Sequence, residues 1–474
     1  MRATLERIFG LAACRTTVRT ELLAGLTTFL TMAYIIFVQP AVLSGAMFNR
    51  STGLDFGAVT TATCLSAAVA SAIMGLYARY PIAQAPGMGE NFFFVFTALP
   101  AAAAAGFSNA WQVGLGLVFI SGVLFLALSW FGFREKVMET ISPSLKSGIA
   151  AGIGLFIAFI GLQNAGLIVP DPGTAVKLNS RLLSPDLLVF FTGLVVTAAL
   201  HARRVPGAIL WGLAAATTLA VGIRLALPVL PASLRAHPWL SQSLLVTRFA
   251  LAREIVAPPA PLSPTLLKLD VAHALTPAML PFVAVFLFMV LFDTVGTLIG
   301  VAGQAGLIVN NRLPRARQAF VSDALGTTLG ACLGTSTVTS FIESAAGVQA
   351  GGRTGLTSLT TAALFLLALF FGPLIAMVGS YAPITAPALV FVGAMMLHHI
   401  RHIDWSDATE SFPAFLILVG IPFTFSIADG LALGFVSHPV LKLLSGRGKQ
   451  VSWLLYGLAA LLVAYFALVR SRIG

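Results

Sequence analysis

The chain has 474 residues, of which 58% are hydrophobic and 9% charged, and its mean hydropathy is +0.93. Ordinary globular chains are about 25% charged, so this composition excludes soluble domain classes and indicates a multi-pass membrane protein in a lipid bilayer. The formal net charge of +11 would be compatible with binding to nucleic acid. However, the Lys and Arg residues fall in short loops beside apolar segments, so no nucleic-acid partner is expected.

Apolar segments divide the chain into two sets of predicted spans. Residues 1–21 form a basic tail, which places the N-terminus on the cytoplasmic side. At about 20 residues per crossing, the first seven spans are 22–46, 56–77, 82–104, 110–132, 143–168, 185–201 and 205–230. A polar, proline-rich extracytoplasmic linker follows at 231–276. The second seven spans are 277–302, 318–333, 336–350, 354–379, 382–398, 411–444 and 451–470, and SIADG at 426–430 can break the segment 411–444.

The two sets are interrupted at corresponding places. The third span opens with APGMGENFFF (85–94), and the tenth lies within the polar, glycine-rich stretch 334–357. There, 335–341 is typical of a short extended piece, and the segment from Glu343 can begin a helix, whose positive end favours an acid. An odd-numbered unit, once duplicated, gives an inverted repeat, and paired interruptions indicate a midplane binding site. We therefore predict an all-α polytopic protein of about 14 spans, with repeats at 22–230 and 277–470.

Five acids fall within apolar spans: Glu90, Asp293, Asp323, Glu343 and Asp429. Each costs about 3 kcal/mol or more there, so each is a functional candidate. Asp323 is near an end of span nine and Asp429 is at a break. Each can equally cap a helix or lie at a water-exposed edge. Asp293 lies well inside span eight, and no Lys or Arg occurs in the middle of any span to pair with it. We predict that Asp293, Glu343 and Glu90 bind substrate and couple protons.

The chemistry of a buried carboxylate suits a proton-coupled carrier. Apolar burial disfavours the charged form of an acid, which allows it to exchange protons near neutral pH. A carboxylate can also accept two parallel N–H donors, such as the ring N–H and exocyclic amine of guanine. Phe92 and Phe93 can offer a flat stacking face, although lipid or core packing is the alternative. Ser344 and Thr339, on the same interrupted stretch as Glu343, are further candidate substrate-binding residues.

Other functions lack their motifs. The chain contains no HExxH for an intramembrane metalloprotease and no strong hydrolase motif, and a channel would not need paired buried acids. The histidines of HHIRH (398–402) lie in a basic loop, which indicates a solvated rim rather than a metal site. Cys14, Cys64 and Cys332 lie far apart without metal-ligand spacing. We therefore expect a carrier, not an enzyme, with neither metal nor cofactor.

Several long motifs resemble the nucleobase-cation symporter superfamily, which includes xanthine and uracil permeases. Within it, the chain is most similar to the azaguanine-like branch of adenine, guanine and hypoxanthine permeases. The motifs are ELLAGLTTFLTMAYIIFVQP (21–40), PGMGEN (86–91), LFDTVGTLIGVAGQAG (291–306), TSTVTSFIESAAGVQAGGRTGLTS (335–358) and PFTFSIADGLALGF (422–435).

The resemblance implies a core domain, spans 22–132 and 277–379, moving against a gate domain, spans 143–230 and 382–470. It also implies short strands breaking spans three and ten, proton symport and often a homodimer. By motif, it assigns Asn91, Asp293 and Glu343 as substrate or coupling residues.

Several positions depart from the pattern of this branch, among them Gln39, where Asn is usual. Val290 stands where an acid is usual, and APGMGENFFF (85–94) replaces NPGMGLNAYF. If spans three and eight face each other, Glu90 can restore the charge missing at Val290; alternatively, Glu90 points to a water-filled edge.

We expect proton-coupled uptake of a purine nucleobase (guanine, hypoxanthine, xanthine or adenine) across a bacterial inner membrane. In this reading Glu343 holds the N–H edge of the base, and Asp293 is a proton or structural partner. The alternatives are a carrier of the same fold for another nucleobase or a small anion such as sulfate, and a membrane sensor that binds a base without moving it. Buried carboxylates would repel an anion, which argues against the anion carrier.

Overall fold

The protein was analysed as a computed structural model that describes residues 2–48, 50–131, 141–235, 237–307 and 313–468. Residue 132 of the fourth predicted span and residues 469–470 of the last lie outside these ranges. The helices of the first half are α1 (Arg2–Phe9), α2 (Val18–Met32), α3 (Ile35–Leu43), α4 (Phe56–Ile73), α5 (Met88–Phe93), α6 (Leu99–Ala104), α7 (Ala110–Phe131), α8 (Pro143–Asn164), α9 (Pro185–Ala202) and α10 (Ala208–Ala226). A π-helical turn, Met74–Ala78, extends α4, and another, Phe94–Ala98, joins α5 to α6.

Short helices cross the linker, and longer ones follow it. The linker contains α11 (Ala232–Arg235), α12 (Pro238–Ser241), α13 (Leu244–Thr247) and α14 (Val271–Ala274). The second half contains α15 (Leu280–Gln304), α16 (Ala316–Leu333), α17 (Ser344–Gln349), α18 (Gly355–Ala368), α19 (Gly372–Gly379), α20 (Ala382–Met396), α21 (Ala408–Thr424), α22 (Ile427–Leu444) and α23 (Trp453–Leu468). Ser, Thr or Asp side chains cap several N-termini, among them Thr17, Asp55, Ser142, Ser184, Thr354 and Ser426.

Nine helices in the described part of the chain are long and apolar enough to cross a membrane. They are Val18–Leu43, Phe56–Ala78, Ala110–Trp130, Pro143–Asn164, Pro185–Ala202, Ala208–Val229, Leu280–Ala302, Gly355–Gly379 and Ala382–His402. Met88–Ala104 and Ala408–Thr424 are shorter apolar helices. The protein is therefore mostly helical and multi-pass, whereas the count of 14 spans and the repeat stay predictions.

The two predicted strands are present and pair with each other. Strand β1 (Gln84–Pro86) lies before α5, and β4 (Val338–Ser340) lies before α17. They are antiparallel, with Ala85 opposite Thr339. Because successive strand residues point to opposite faces, Ala85 and Thr339 share one face. The backbone N–H and C=O groups that lack helical partners in one interruption therefore hydrogen-bond to the other interruption. Irregular backbone at membrane depth requires such partners.

A second strand pair was not predicted. Residues Ile168–Asp171 (β2) and Ala175–Leu178 (β3) form an antiparallel hairpin between α8 and α9. Lys177 pairs with Asp171 at 2.7 Å, and this contact with the neighbouring amides holds the pKa of Asp171 below its ordinary value. Helix α8 ends at Asn164, before the hairpin, so the predicted boundary of span five at 168 is too late.

The helices pack in two groups that are covered at one end by the linker. In one group, α18 packs on α2 and α4, and α16 packs on α7; in the other, α8 packs on α20 and α21, and α9 on α10. Gly154 of α8 and Gly393 of α20 leave no room for a methyl group between the two helices. The linker is hydrogen-bonded to helix ends, for example from Leu267 N to Cys332 O at 2.7 Å. We call this end of the molecule the linker face.

Candidate functional site

Glu343 lies between β4 and α17, at the position before the first residue of the helix. Its side chain makes no capping hydrogen bond to the helix. Instead, Tyr34 donates its hydroxyl to Glu343 Oε1 at 2.9 Å, and Thr31 donates to the Glu343 carbonyl at 3.3 Å. Tyr34 occupies the break between α2 and α3, so an interruption of the first span positions the acid of the tenth.

Asp293 occupies the middle of a stripe along α15 whose two halves differ in exposure. Towards the linker face, Phe282, Phe286 and Met289 are 1%, 0% and 5% exposed. From Asp293 onwards the same stripe is open, and a methyl group added at Gly296 would meet no atom within 4 Å. The cleft beside Asp293 is therefore accessible from the side opposite the linker face and closed towards that face.

Thr339 connects β4 to α15 at this cleft. Its hydroxyl lies 3.2 Å from that of Thr294, and its side chain also hydrogen-bonds to Asp293. Since Ala85 is opposite Thr339 in the strand pair, the strand face containing both is turned towards α15. The register of two three-residue strands thus decides which side chains line the site.

Glu90 is buried beside the same threonine. It is 3% exposed, and its carboxylate folds back against Gly87, next to the Thr339 methyl group. It is close enough to Asp293 for the two carboxylates to interact electrostatically. This burial disagrees with a water-filled edge. Val290, 1% exposed, packs in an apolar cluster that includes Phe125.

These acids have no basic partner in the described part of the chain. The ion pairs there involve Asp171, Asp270, Asp407 and Glu410, all away from the cleft. Asp293 interacts electrostatically with Glu90 and with Glu343. Three carboxylates therefore converge without a compensating cation, an arrangement that favours uptake of a proton or of a ligand with N–H donors.

Asp323 is held by hydrogen bonds within the protein, and the prediction that it lies near a helix end is wrong. It is inside α16 and fully buried, where it accepts hydrogen bonds from Ser340 Oγ at 2.8 Å and Ser340 N at 3.3 Å. It also accepts from Thr294 and interacts electrostatically with Asp293, so it connects β4 to α15 beside the cleft. Asp429 lies in the first turn of α22, whose cap is Ser426. The break before that helix is at Phe425–Ser426, at the edge of the predicted 426–430.

Asn91 and Ser344 hold the interrupted segments together. The Asn91 amide donates to Gln39 Oε1 and accepts from Ser336 Oγ. Gln39 Nε2 donates to Thr335 Oγ1 at 2.9 Å, which closes the network across three segments. Ser344 Oγ accepts from the backbone N–H of Ala83 at 3.0 Å, just before β1. In this structure all these side chains are buried and bonded to protein groups.

Phe92 and Phe93 are fully buried in aromatic clusters. The Phe93 ring packs edge-on against Phe286 at 4.7 Å between centroids, which helps to close α15 towards the linker face. Phe92 belongs to a larger cluster, which we call the aromatic plug. The plug consists of Phe48, Phe92, Phe96, Phe156, Phe159 and Phe425, with neighbouring centroids 4.7 to 6.2 Å apart.

Two residues of this architecture were missed by sequence reasoning. Tyr34 contacts a residue more than 300 positions away, which no local pattern indicates. Glu21 had been placed in the cytoplasmic tail, but α2 begins at Val18 and the side chain is fully buried. Its carboxylate accepts from Thr357 Oγ1 at 2.6 Å and from Arg353 N at 2.9 Å, and so ties α2 to α18. The available signal was Thr17, a capping residue type three positions before the segment TELLAGL (20–26).

Among the described residues, no group of three or more His, Cys, Asp or Glu side chains could hold a metal ion. The histidines of the segment 398–402 lie on an exposed 3₁₀ turn.

A bundle of membrane-length helices, with an acid-lined cleft where two interrupted spans meet, defines a multi-pass membrane transporter. The chain belongs to the permease family whose sequence profile, Xan_ur_permease, matches residues 19–433. Membership of this family makes it a transporter rather than an enzyme.

Similar proteins cover nearly the full chain. The guanine/hypoxanthine permease PbuG of Bacillus subtilis is 41% identical over 98% of this chain and 100% of its own length. The adenine permease AdeP of Escherichia coli is 39% identical over 94% of this chain and 92% of its own length. In fold, the transmembrane domain of the cyanobacterium bicarbonate transporter BicA matches 88% of this chain and 97% of that chain, with a TM-score of 0.60 and 16% identity.

Proposed function

We propose that the protein carries a purine nucleobase into the cell across a bacterial inner membrane, driven by protons. The observation that carries this proposal is the convergence of Glu343, Asp293 and Glu90 at the meeting point of β1 and β4, with no basic partner in the part of the chain that the structure describes. The names of the relatives, guanine/hypoxanthine permease and adenine permease, support a purine as the substrate class.

Glu343 is the residue we assign to the N–H edge of the base. Its Oε1 is oriented by Tyr34, and the residue before it, Ile342, is 45% exposed, so the carboxylate lies at an accessible rim of the cleft. Two parallel N–H groups of a base match the two oxygens of a carboxylate. Thr339 can complete the contact from the strand side.

Asp293 and Glu90 are the residues we assign to proton coupling. Two neighbouring carboxylates in a low-dielectric site cannot both remain charged at little cost. Protonation of one of them lowers the free energy of this repulsion. A base bound at Glu343 changes that free energy as well, because the substrate alters the local charge. Occupancy by proton and base would therefore be linked, as symport requires.

Transport requires that access to the cleft alternate between its two sides. The stripe beside Asp293 is open away from the linker face, and Phe93 packs on Phe286 at its other end. We propose that the aromatic plug and Phe93 together close the cleft towards the linker face. The two groups of packed helices support movement of a core (22–132 and 277–379) against a gate (143–230 and 382–470). We further propose 14 spans as a seven-plus-seven inverted repeat, a cytoplasmic N-terminus and a homodimer.

Two rival functions are less well supported. An anion such as sulfate would meet three carboxylates and no cation among the described residues of the cleft, which disfavours its binding. A sensor that binds a base without moving it would not need a cleft open on one side beneath a closed plug.

Uptake of radiolabelled guanine, hypoxanthine, xanthine and adenine into proteoliposomes, with and without an imposed pH gradient, tests the proposal. We expect accumulation of at least one purine only when the inward proton gradient is present. Accumulation that is indifferent to the proton gradient, or transport of sulfate in place of bases, would contradict it. Binding of a base without any uptake would favour the sensor.

A further inference from the structure

A second cavity lies at the linker face, apart from the acidic cleft. It encloses about 220 Å³. Its walls come from the segment after α3, from the end of α8, from the linker and from the junction of α19 with α20; the principal side chains are Phe48, Gln163, Asn164, Arg248, Ser380 and Tyr381. It therefore touches both groups of packed helices as well as the linker. No acid lines it.

The cavity offers side-chain donors from Arg248 and Asn164. Asn164 Nδ2 is buried and has no hydrogen-bond partner among the described residues, and Gln163 lies beside it. Arg248 forms no ion pair within the described part of the chain. An unpaired buried amide donor is costly unless a ligand or water accepts from it. These donors favour a ligand with carbonyl oxygens.

The acid nearest to this cavity is already satisfied. Asp186 accepts from the Tyr381 hydroxyl at 2.6 Å and from the backbone N–H groups of Leu244 and Leu245 at 2.9 and 3.0 Å. It therefore anchors the linker to the wall of the cavity and does not compete for Arg248. The cavity thus has the opposite polarity to the acidic cleft, which offers acceptors.

The aromatic plug separates the two sites. Phe48 borders the cavity, and its ring lies 4.7 Å from that of Phe96 and 6.2 Å from that of Phe92. Phe92 is two residues after Glu90 on α5. A ligand in the cavity would therefore contact the plug at Phe48, whose ring is available for stacking.

We propose that this cavity is a vestibular binding site for a planar oxo-heterocycle, held by its carbonyl edge before the plug opens. The inference rests on the proposed function, because it identifies the ligand as the transported base. Arg248 and Asn164 bind the carbonyl edge, Phe48 stacks on the ring, and Glu343 takes the N–H edge later. The vestibule thus favours oxopurines such as hypoxanthine over adenine, which has no carbonyl group.

Uptake kinetics of the full chain in cells test the site. Arg248→Gln and Asn164→Ala should each raise KM for hypoxanthine about fivefold at unchanged kcat, as expected for loss of one hydrogen bond at a partly exposed site. KM for adenine, where adenine is carried, should change by less than about twofold. Arg253→Gln, which removes the same charge from an exposed linker position, should leave both values unchanged.

Protection from labelling provides a readout that does not require transport. In a chain with Cys14→Ser, Cys332→Ser and Glu343→Gln, Ala46→Cys places a thiol at the exposed rim of the cavity. Hypoxanthine should slow its reaction with a membrane-impermeant maleimide, and Arg248→Gln should abolish this protection. Equal protection by adenine, or no protection and an unchanged KM in a chain that transports hypoxanthine, would overturn the vestibule. Absence of base uptake by the unmodified chain would instead count against the proposed function.

Discussion

Tyr34 and Glu343 meet across the break of one helix and the start of another, with the hydroxyl 2.9 Å from the carboxylate. The tyrosine is fully buried, whereas the glutamate is partly exposed. One oxygen of the carboxylate is thus fixed by the protein, and the other can face a ligand. The pair therefore orients an acceptor towards the cleft.

Glu343→Gln should lower kcat/KM for base uptake at least about a hundredfold, because an amide presents a donor where the base also donates. Tyr34→Phe should lower it about tenfold through loss of one hydrogen bond to a charged group. Both are measured as initial rates in cells, with protein amount determined by immunoblot. Near-normal uptake by Glu343→Gln would remove this residue from the site.

Asp293→Asn should separate base movement from proton movement, since this acid lacks a basic partner that would explain it structurally. The measurement is the alkalinisation of the external medium when base is added to a dense cell suspension. Glu21→Gln is the matched control: it removes a buried acid that ties α2 to α18, and should lower the free energy of unfolding by about 1–2 kcal/mol while coupling is retained. Normal alkalinisation by Asp293→Asn would show that Asp293 does not couple protons.

The two interrupted spans and their strands could be predicted because polar, glycine-rich composition stands out among apolar segments. The acids within spans were visible for the same reason. Long-range contacts were not, since Glu21 reaches Thr357 and Tyr34 reaches Glu343 only through the folded bundle. Asp323 also illustrates this limit: its position in the chain does not reveal that a buried serine from the neighbouring strand accounts for its burial.

Glu90→Leu should strongly reduce transport, because Glu90 is buried beside Thr339 and Asp293 and has no other partner to explain it. If Glu90 replaces the acid missing at Val290, adding Val290→Asp would partly rescue this variant. The structure favours the opposite result, since Val290 packs against apolar side chains such as Phe125, where an added carboxylate would be desolvated. Uptake by the single and double variants decides between these outcomes. Recovery in the double variant would restore the compensation hypothesis.

Phe425 should control leakage through the aromatic plug. Its ring lies 5.2 Å from both Phe96 and Phe156, and its backbone is left-handed, with φ of 53°. Phe425→Ala should lower the steady-state accumulation of base at a fixed proton gradient several-fold, while the initial downhill rate is retained. Phe425→Gly should lose accumulated base to the same extent as Phe425→Ala. Its free energy of unfolding should be higher by about 1 kcal/mol, because glycine adopts this backbone conformation without strain.

The control for the plug is Phe423→Ala, which removes an aromatic ring that is 82% exposed two residues away. Accumulation by this variant should match that of the unmodified chain. Accumulation is measured with radiolabelled base in proteoliposomes under an imposed pH gradient, and stability by thermal denaturation in detergent. If Phe425→Ala accumulates base normally, the ring does not close the path, and the barrier towards the linker face must lie with Phe93 and Phe286 on the stripe that leads to Asp293.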